Sequence, residues 1–329
     1  SLAVAFLREV EELGAVDALT LAPPRGLPRR LGDFRILGLL GSGGVGSVYE
    51  AEQISTGWHV ALKCLHPHLA HQPSARLRFA REARLATWLR HPGTVRGHGL
   101  QSHGDSVFLV MDLLHGHSLH RLLRARTDPR DVDHARACAV LDDPKALTRV
   151  FGDFAAALAF THRHGVVHRD VKPANLFVCT DGRGVLLDFG LACAPALAEA
   201  ELTATCDFLG TPVYMSPEQA AGARVLRPST DVYSLAAVLY ECLAGEPLVR
   251  NDTLPVVLDA VRRARAPSVR RMTGVAPRAL ACLVRRCLRR NARWRPDAGS
   301  LAEALGCSVS PGRTSIAREF RFEAAPAVA

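Results

Sequence analysis

Residues 168–175 read His168-Arg169-Asp170-Val171-Lys172-Pro173-Ala174-Asn175, and Asp188-Phe189-Gly190 begins thirteen residues past Asn175. The pieces make chemical sense together. Asp170 is a carboxylate that can accept a hydroxyl proton, and Lys172 is a cation suited to a migrating phosphoryl group. Asn175 and Asp188 are hard oxygen donors of the kind magnesium takes. Each tripeptide can occur by chance; the ordered series at this spacing points to phosphoryl transfer.

Two upstream stretches complete such a site. Gly41-Ser42-Gly43-Gly44-Val45-Gly46 fits G-x-G-x-x-G, a spelling shared with dinucleotide folds. There the third glycine opens a helix and an acid follows about 20 residues on. Here β-branched and aromatic Val48-Tyr49 follow, and the later region is the histidine-rich Leu65-His66-Pro67-His68. A strand–loop–strand hairpin laid over phosphates fits this context better than the dinucleotide alternative. Val60-Ala61-Leu62-Lys63 then offers a lysine alternating out of a strand, a compact charge for phosphate oxygens. A buried ammonium needs a counter-ion, and Glu82 in the next helical stretch is the candidate.

Hydrophobic periodicity divides the chain. From Phe34 come short β-type runs, FRILGLL, VGSVYEAEQ and WHVALKCL, then a helical stretch over 74–90 and two more runs, around Val95 and over 107–114. Beyond Gly116 the pattern is mainly helical, with helices expected over 147–165, 231–244, 253–265, 277–290 and 299–306. The polar stretch 124–146 reads as an insertion between helices. Residues 1–32 read as a helix and a Pro-rich linker, 33–306 as the principal domain with lobes about 33–111 and 116–306, and 307–329 as a loose tail.

With GSGGVGSV, VALK, HRDVKPAN, DFG and SPE in this order, the sequence resembles the protein kinase family over residues about 34–306. The resemblance implies an α+β, bilobal fold: a small β-rich N-lobe with one helix and a larger, mainly α-helical C-lobe. ATP would lie in the cleft between them. By carry-over, the backbone of Leu40, Gly41, Ser42, Gly43, Gly44, Val45 and Gly46 would cover the phosphates. Val48 and Ala61 would line the adenine pocket from above and Phe177 from below. Met111 would be the gatekeeper, and Asp112 and Leu114 would supply hinge hydrogen bonds. Lys63, oriented by Glu82, would hold the α- and β-phosphates, while Asp188 and Asn175 would hold Mg²⁺, with Mn²⁺ as an alternative.

The same resemblance makes Asp170 the base and Lys172 the γ-phosphate cation, with Thr211 fixing both. Asp231 would brace the catalytic loop, and Arg295 would pair with Glu218. Lys172 and Gly210-Thr211-Pro212 are similar to the serine/threonine branch, and HRDVKPANLF and GTPVYMSPEQA to its bacterial members. Arg169, beside Asp170, needs an anion, which a phosphothreonine at Thr203 or Thr205 would supply. Two departures stand out: Ser216 replaces the usual alanine before Pro217-Glu218, and the 124–146 insertion is longer than usual. Neither touches the chemistry. Positions where arginine-directed kinases carry acids look like Ser118 and Ala174, which argues against strong basophilic preference. The implied activity is transfer of the ATP γ-phosphate to Ser/Thr hydroxyls of proteins. The weighed alternatives are a pseudokinase-like scaffold and a small-molecule phosphotransferase. Intact Lys63, Asp170 and Asp188 argue against the first, and the GTPVYMSPE segment against the second.

Composition bounds the rest. In 329 residues, 48% hydrophobic content excludes wholesale disorder. No apolar run approaches the ~20 residues of a membrane span. The start carries acids where a signal peptide would be basic, and it opens on Ser1, as a segment of a longer protein would. Nine cysteines without a Cys-x-x-Cys pair read as free thiols in a reducing, cytoplasmic setting. His66, His68 and His71, and His162, His164 and His168, have spacings that zinc could use, but neither segment suits a metal site. Cys193 and Cys206 flank the activation loop and read as plain thiols.

Only three of 41 basic residues are lysine, and the formal net charge is +9. Twelve arginines and no acid fall between Ala260 and Pro296; without them the chain is slightly acidic. The 262–293 stretch has two readings, a pair of solvated helix faces or a docking patch for an acidic or phosphorylated protein. It lacks the interleaved aromatics of nucleic-acid platforms, so no nucleic-acid partner is expected.

Overall fold

The computed structural model describes residues 29–104, 106–189, 212–250, 253–263, 265–268 and 276–308. Its first strand begins earlier than the sequence suggested. β1 (Arg30–Leu31) lies inside the expected linker and pairs antiparallel with β2 (Phe34–Ser42). β3 (Gly46–Gln53), β4 (Trp58–Leu65), α1 (Pro67–Ala70), α2 (Pro73–Trp88), β5 (Gly97–His103) and β6 (Ser106–Asp112) follow. They build one six-stranded antiparallel sheet in the order β1-β2-β3-β4-β6-β5.

β4 is central and buried along most of its length, which is why WHVALKCL reads as a nearly continuous apolar run. The strand expected around Val95 instead starts at Gly97. Thr94 forms a parallel bridge with Leu186, and the Val95 N–H donates to Leu186 O at 3.0 Å, so this segment is claimed by the other lobe. On α2 the buried residues Ala75, Phe79, Glu82, Ala83 and Ala86 form one helical stripe, apolar except for Glu82.

The second lobe opens with β7 (Gly116–Ser118), joined by β8 (Leu176–Cys179) and β9 (Gly184–Leu186) in a small sheet. A Cβ on Gly116 would stand 2.0 Å from Val178 O, so only glycine lets the chain enter this sheet. Helices α3 (Leu119–Thr127), α4 (His134–Leu141) and α5 (Pro144–Arg163) come next. The insertion thus contains a helix of its own. Arg121 holds it down with a bidentate pair to Asp131 at 2.6 and 2.5 Å.

α6 (Pro217–Ala220), α7 (Ser229–Ala244), α8 (Leu254–Arg263), α9 (Arg278–Cys287) and α10 (Ala298–Ala304) complete the lobe. α7 is buried all round from Thr230 to Tyr240, the signature of a central helix, and α5 packs into the same core. A helix so enclosed can carry a charge only where polar partners meet it. Asp231 sits in its first turn for that reason.

Candidate active site

Strand register builds the upper wall. β3 sets Val48 opposite Lys63, and β4 sets Lys63 opposite Leu109 and Ala61 opposite Met111. Leu40, Val48, Ala61 and Met111 therefore pack in one buried cluster, which continues across the lobes to Phe177 and Val185, with Leu114 partly buried against it. The side chains expected to sandwich an adenine ring are brought together. Asp112 ends β6, its N–H donating to Arg96 O at 2.9 Å and its carboxylate meeting His98.

The glycine-rich loop is the β2–β3 turn. Gly43 N–H donates to Gly46 O at 2.8 Å, and the Ser42 and Ser47 hydroxyls meet at 2.8 Å. A Cβ on Gly46 would stand 2.0 Å from Cys64 O, so the close approach of β3 to β4 there requires glycine. His66, considered in the sequence only as a zinc ligand, has Nε2 2.7 Å from Gly43 O and tethers the loop. Nothing in the sequence signalled this contact.

Lys63 is 5% exposed, with Nζ 2.6 Å from Glu82 Oε1 and 3.0 Å from Asp188 Oδ2. Burial alone would lower its pKa, but the two carboxylates outweigh that and hold the ammonium firmly charged. Asp188 adopts φ 52, in the left-handed region that residues other than glycine seldom occupy.

The catalytic loop hangs from Asp231, which is fully buried. Its Oδ2 accepts from His168 N at 2.8 Å and lies 2.7 Å from His162 Nε2; its Oδ1 accepts from Arg169 N at 2.8 Å. Burial would raise the Asp231 pKa, but these donors win and hold it below the usual carboxylate range. His168 is also fully buried. Its Nε2 lies 3.0 Å from Leu187 O, and its Nδ1 faces the Asp170 N–H, so the proton belongs on Nε2. His162, like His66, was read only for zinc spacing, whereas its place is at Asp231.

Asp170 then meets its partners. Lys172 Nζ is 3.1 Å from Asp170 Oδ2, and Asn175 Nδ2 donates to Asp170 O at 2.8 Å and Oδ2 at 3.0 Å. With its NH₂ engaged there, Asn175 keeps its amide oxygen for a cation. Together with the Asp188 carboxylate, this hard-oxygen donor set suits a divalent metal beside phosphate.

Arg169, at φ 67, sends its carbonyl to Gln219 Nε2 at 2.8 Å, tying the loop to α6. Its buried Nε has no hydrogen-bond partner among the described residues. Ser216 is fully buried and forms a capping box with Gln219, which explains its departure from alanine. Glu218 holds Arg295 at 2.6 and 2.8 Å, a bidentate pair. Gly190, Thr203, Thr205 and Thr211 lie outside the described residues.

Two lobes with an apolar layer between them, a buried lysine bridging two carboxylates, and an Asp–Lys–Asn loop braced from a central helix define a protein kinase catalytic domain. The chain belongs to that family: the protein kinase domain matches residues 34–305. It is 38% identical over 298 residues to the serine/threonine-protein kinase pkn2 of Myxococcus xanthus, covering 85% of this chain and 33% of the relative. It is 37% identical over 270 residues to PknB of Mycolicibacterium smegmatis, covering 80% and 41%, and 36% identical over 284 residues to PkaA of Streptomyces coelicolor, covering 81% and 48%. The chain thus spans between a third and half of the length of these relatives. Family membership implies use of ATP and a divalent metal. No described helix is long and apolar enough to cross a membrane.

Proposed function

We propose that this chain is a serine/threonine protein kinase, transferring the γ-phosphate of ATP to Ser and Thr hydroxyls of proteins. The observation that carries this is Lys63 held between Glu82 and Asp188, across the cleft from Asp170, Lys172 and Asn175. The names of the relatives support the Ser/Thr branch, as does Lys172.

In this reading Lys63 binds the α- and β-phosphates and Glu82 keeps its ammonium aimed. The backbone of residues 41–46 covers the phosphates. Asp188 and the Asn175 amide oxygen would hold Mg²⁺, or Mn²⁺, which would supply charge to neutralise the phosphate oxygens. Asp170 orients the incoming hydroxyl; as its oxygen bonds to the γ-phosphorus and the bond to ADP breaks, the hydroxyl proton passes to Asp170. Lys172 offsets charge on the transferred group. Much of the acceleration comes from positioning and fixed charge, which is why the Asp231 brace matters. Thr211 would support Asp170 and Lys172.

Arg169 beside Asp170 supports activation by autophosphorylation at Thr203 or Thr205. Ser118 caps α3 by accepting from Arg121 N, and Ala174 is buried, so neither offers an acid to a basic substrate. The described cysteines are all free thiols, in keeping with a reducing cytoplasm. The test is transfer of labelled phosphate from ATP and Mg²⁺ to the chain itself and to a generic protein, with Asp170→Asn as control. Transfer by the parent alone is expected, with phosphate on Thr203 or Thr205 by mass spectrometry. No transfer by either form would leave a scaffold.

A further inference from the structure

The arginine-rich stretch is not one surface. Arg295 is internal: all five N–H groups of its guanidinium are bonded, to Glu218, Ser229 O, Arg289 O and Arg290 O. Six others converge. Arg263 ends α8 and Arg265 follows it; Arg285, Arg286, Arg289 and Arg290 come from the last turn of α9 and just beyond. Together they line one groove of about 630 Å³, with Ala266 and Cys282 between them and no carboxylate in its described lining.

Solvation of two helix faces does not by itself explain why these arginines converge. The cations in the last turns of α8 and α9 are favourable to those helices' own dipoles, but this does not account for Arg265, Arg289 and Arg290, which lie beyond the helix ends. All six arginines are exposed, the Arg263 side chain by 77%, so water reaches them; what the groove adds is that like charges from two elements meet across one concavity. Arg263 has a carboxylate at hand, Asp259 at 3.0 Å, while among the described residues Arg289 reaches the Trp294 carbonyl at 3.5 Å. No described carboxylate pairs with Arg265, Arg285, Arg286, Arg289 or Arg290. Lysines could relieve the repulsion by losing protons; arginines do not. Water screens these exposed charges in part, and an anion seated between the walls would relieve them further.

We infer that the groove between α8 and α9 is a docking site for a phosphorylated peptide segment of a protein partner. Guanidinium forks match phosphate oxygens in bidentate pairs, and a phosphorylated side chain brings nearly two charges and three acceptors. A lone carboxylate satisfies one fork; two facing arginine walls suit a phosphate held from both sides. The volume lies within the range of about 300–1,000 Å³ typical of binding clefts. The described lining contains no aromatic side chain on which a base could stack, which disfavours nucleic acid. The concavity disfavours a flat lipid surface. No described lining residue belongs to the catalytic cleft, so the inference does not rest on phosphoryl transfer.

The groove's wall is nonetheless anchored near the cleft. The carbonyls of Arg289 and Arg290 are held by Arg295, which holds Glu218 at the start of α6. Docking there would present a partner to the α6 side of the C-lobe.

The test is fluorescence anisotropy of the full chain, without ATP, on a labelled peptide carrying two phosphothreonines and on its unphosphorylated twin. The phosphorylated form should bind at least about tenfold more tightly. Replacing Arg285, Arg286, Arg289 and Arg290 with alanine should abolish that preference, and replacing Arg263 and Arg265 on the other wall should weaken it independently. Arg262→Ala with Arg278→Ala, exposed arginines outside the lining, should leave it unchanged. Each variant's melting curve is recorded, and the two wall variants test the groove separately should one fail to fold. Equal binding of the two peptides, or equal loss in the Arg262/Arg278 control, would overturn the inference. So would stronger competition from single-stranded DNA or phosphatidylserine vesicles than from unlabelled phosphopeptide. Binding by Asp170→Asn with parental affinity would show that the groove works even where transfer does not.

Discussion

Replacing Arg295 with lysine keeps the charge and removes the fork. The Arg295 side chain is fully buried, its Cζ 4.8 Å from the Tyr233 ring centroid, and it makes two bonds to Glu218 and three to backbone carbonyls. An ammonium has three N–H groups and a single point of origin. It can retain Glu218 and reach one carbonyl, leaving two acceptors without donors. Each buried orphan costs about 1–3 kcal/mol, and part of this is recovered by water. The expected loss is therefore about 2–4 kcal/mol. Arg295→Ala leaves Glu218 with only the Thr230 hydroxyl at 2.9 Å, and removal of one member of a buried pair costs about 3–5 kcal/mol. Since a whole domain holds about 5–15 kcal/mol, the alanine variant can unfold outright, and lysine is the informative change. Urea denaturation gives the midpoint and slope. Arg295→Lys should shift the midpoint without changing the slope. A lysine variant within about 0.5 kcal/mol of the parent, the usual range for inconsequential surface changes, would refute the claim that five-donor geometry is what the site requires.

Asp231→Asn should lower kcat by about two orders of magnitude, as a misplaced catalytic loop would, with KM for ATP nearly unchanged; equal effects on both would argue for general unfolding. The pH dependence has a definite sign. The Asp231 and Glu218 pKa values are held below their ordinary 3.8 and 4.5, so their stabilisation is fully present above the unfolded values and is lost as pH falls through the folded ones. Urea midpoints measured downward from pH 5 should fall, less steeply in Asp231→Asn. Gly46→Ala places a methyl 2.0 Å from Cys64 O and should raise KM for ATP and cost about 1–3 kcal/mol; an unchanged melting curve would contradict it. Lys63→Arg puts a larger fork between Glu82 and Asp188 and should cost at least about a hundredfold in kcat/KM, read with a saturating peptide substrate. His66→Ala frees the glycine-rich loop at Gly43 and should raise KM for ATP by about two- to fivefold, the worth of one hydrogen bond.

The chemistry of the cleft was legible because it is written in contiguous segments. Asp170, Lys172 and Asn175 sit in one loop, where a few bonds of chain limit their separation. Gly41–Gly46, Lys63 and Asp188 lie on or beside short strands whose apolar, β-branched runs are readable. α5 and α7 were evident from apolar periodicity, with ends shifted by only a few residues. What escaped was set by packing between distant parts of the chain. His162 and Asp231 are 69 positions apart, Gln219 and Arg169 50, and His66 and Gly43 23. The strand looked for around Val95 starts later because the other lobe takes that segment's hydrogen bonds. α4 stayed hidden in the insertion because it spans only eight residues, half of them alanine or cysteine, between polar stretches that contain Pro129 and Pro144.

By itself, then, the sequence determined the family, the two-lobed α+β architecture and the residues equipped for phosphoryl transfer, since that chemistry admits few residue types at few spacings. Tertiary structure alone decided which histidines became tethers rather than ligands. It also gathered six arginines of the 262–293 stretch around one groove. The physical reason is that local spacing constrains geometry only within a few residues. Which helix faces meet, and which charges must then live together, follows from how the whole chain buries its apolar surface.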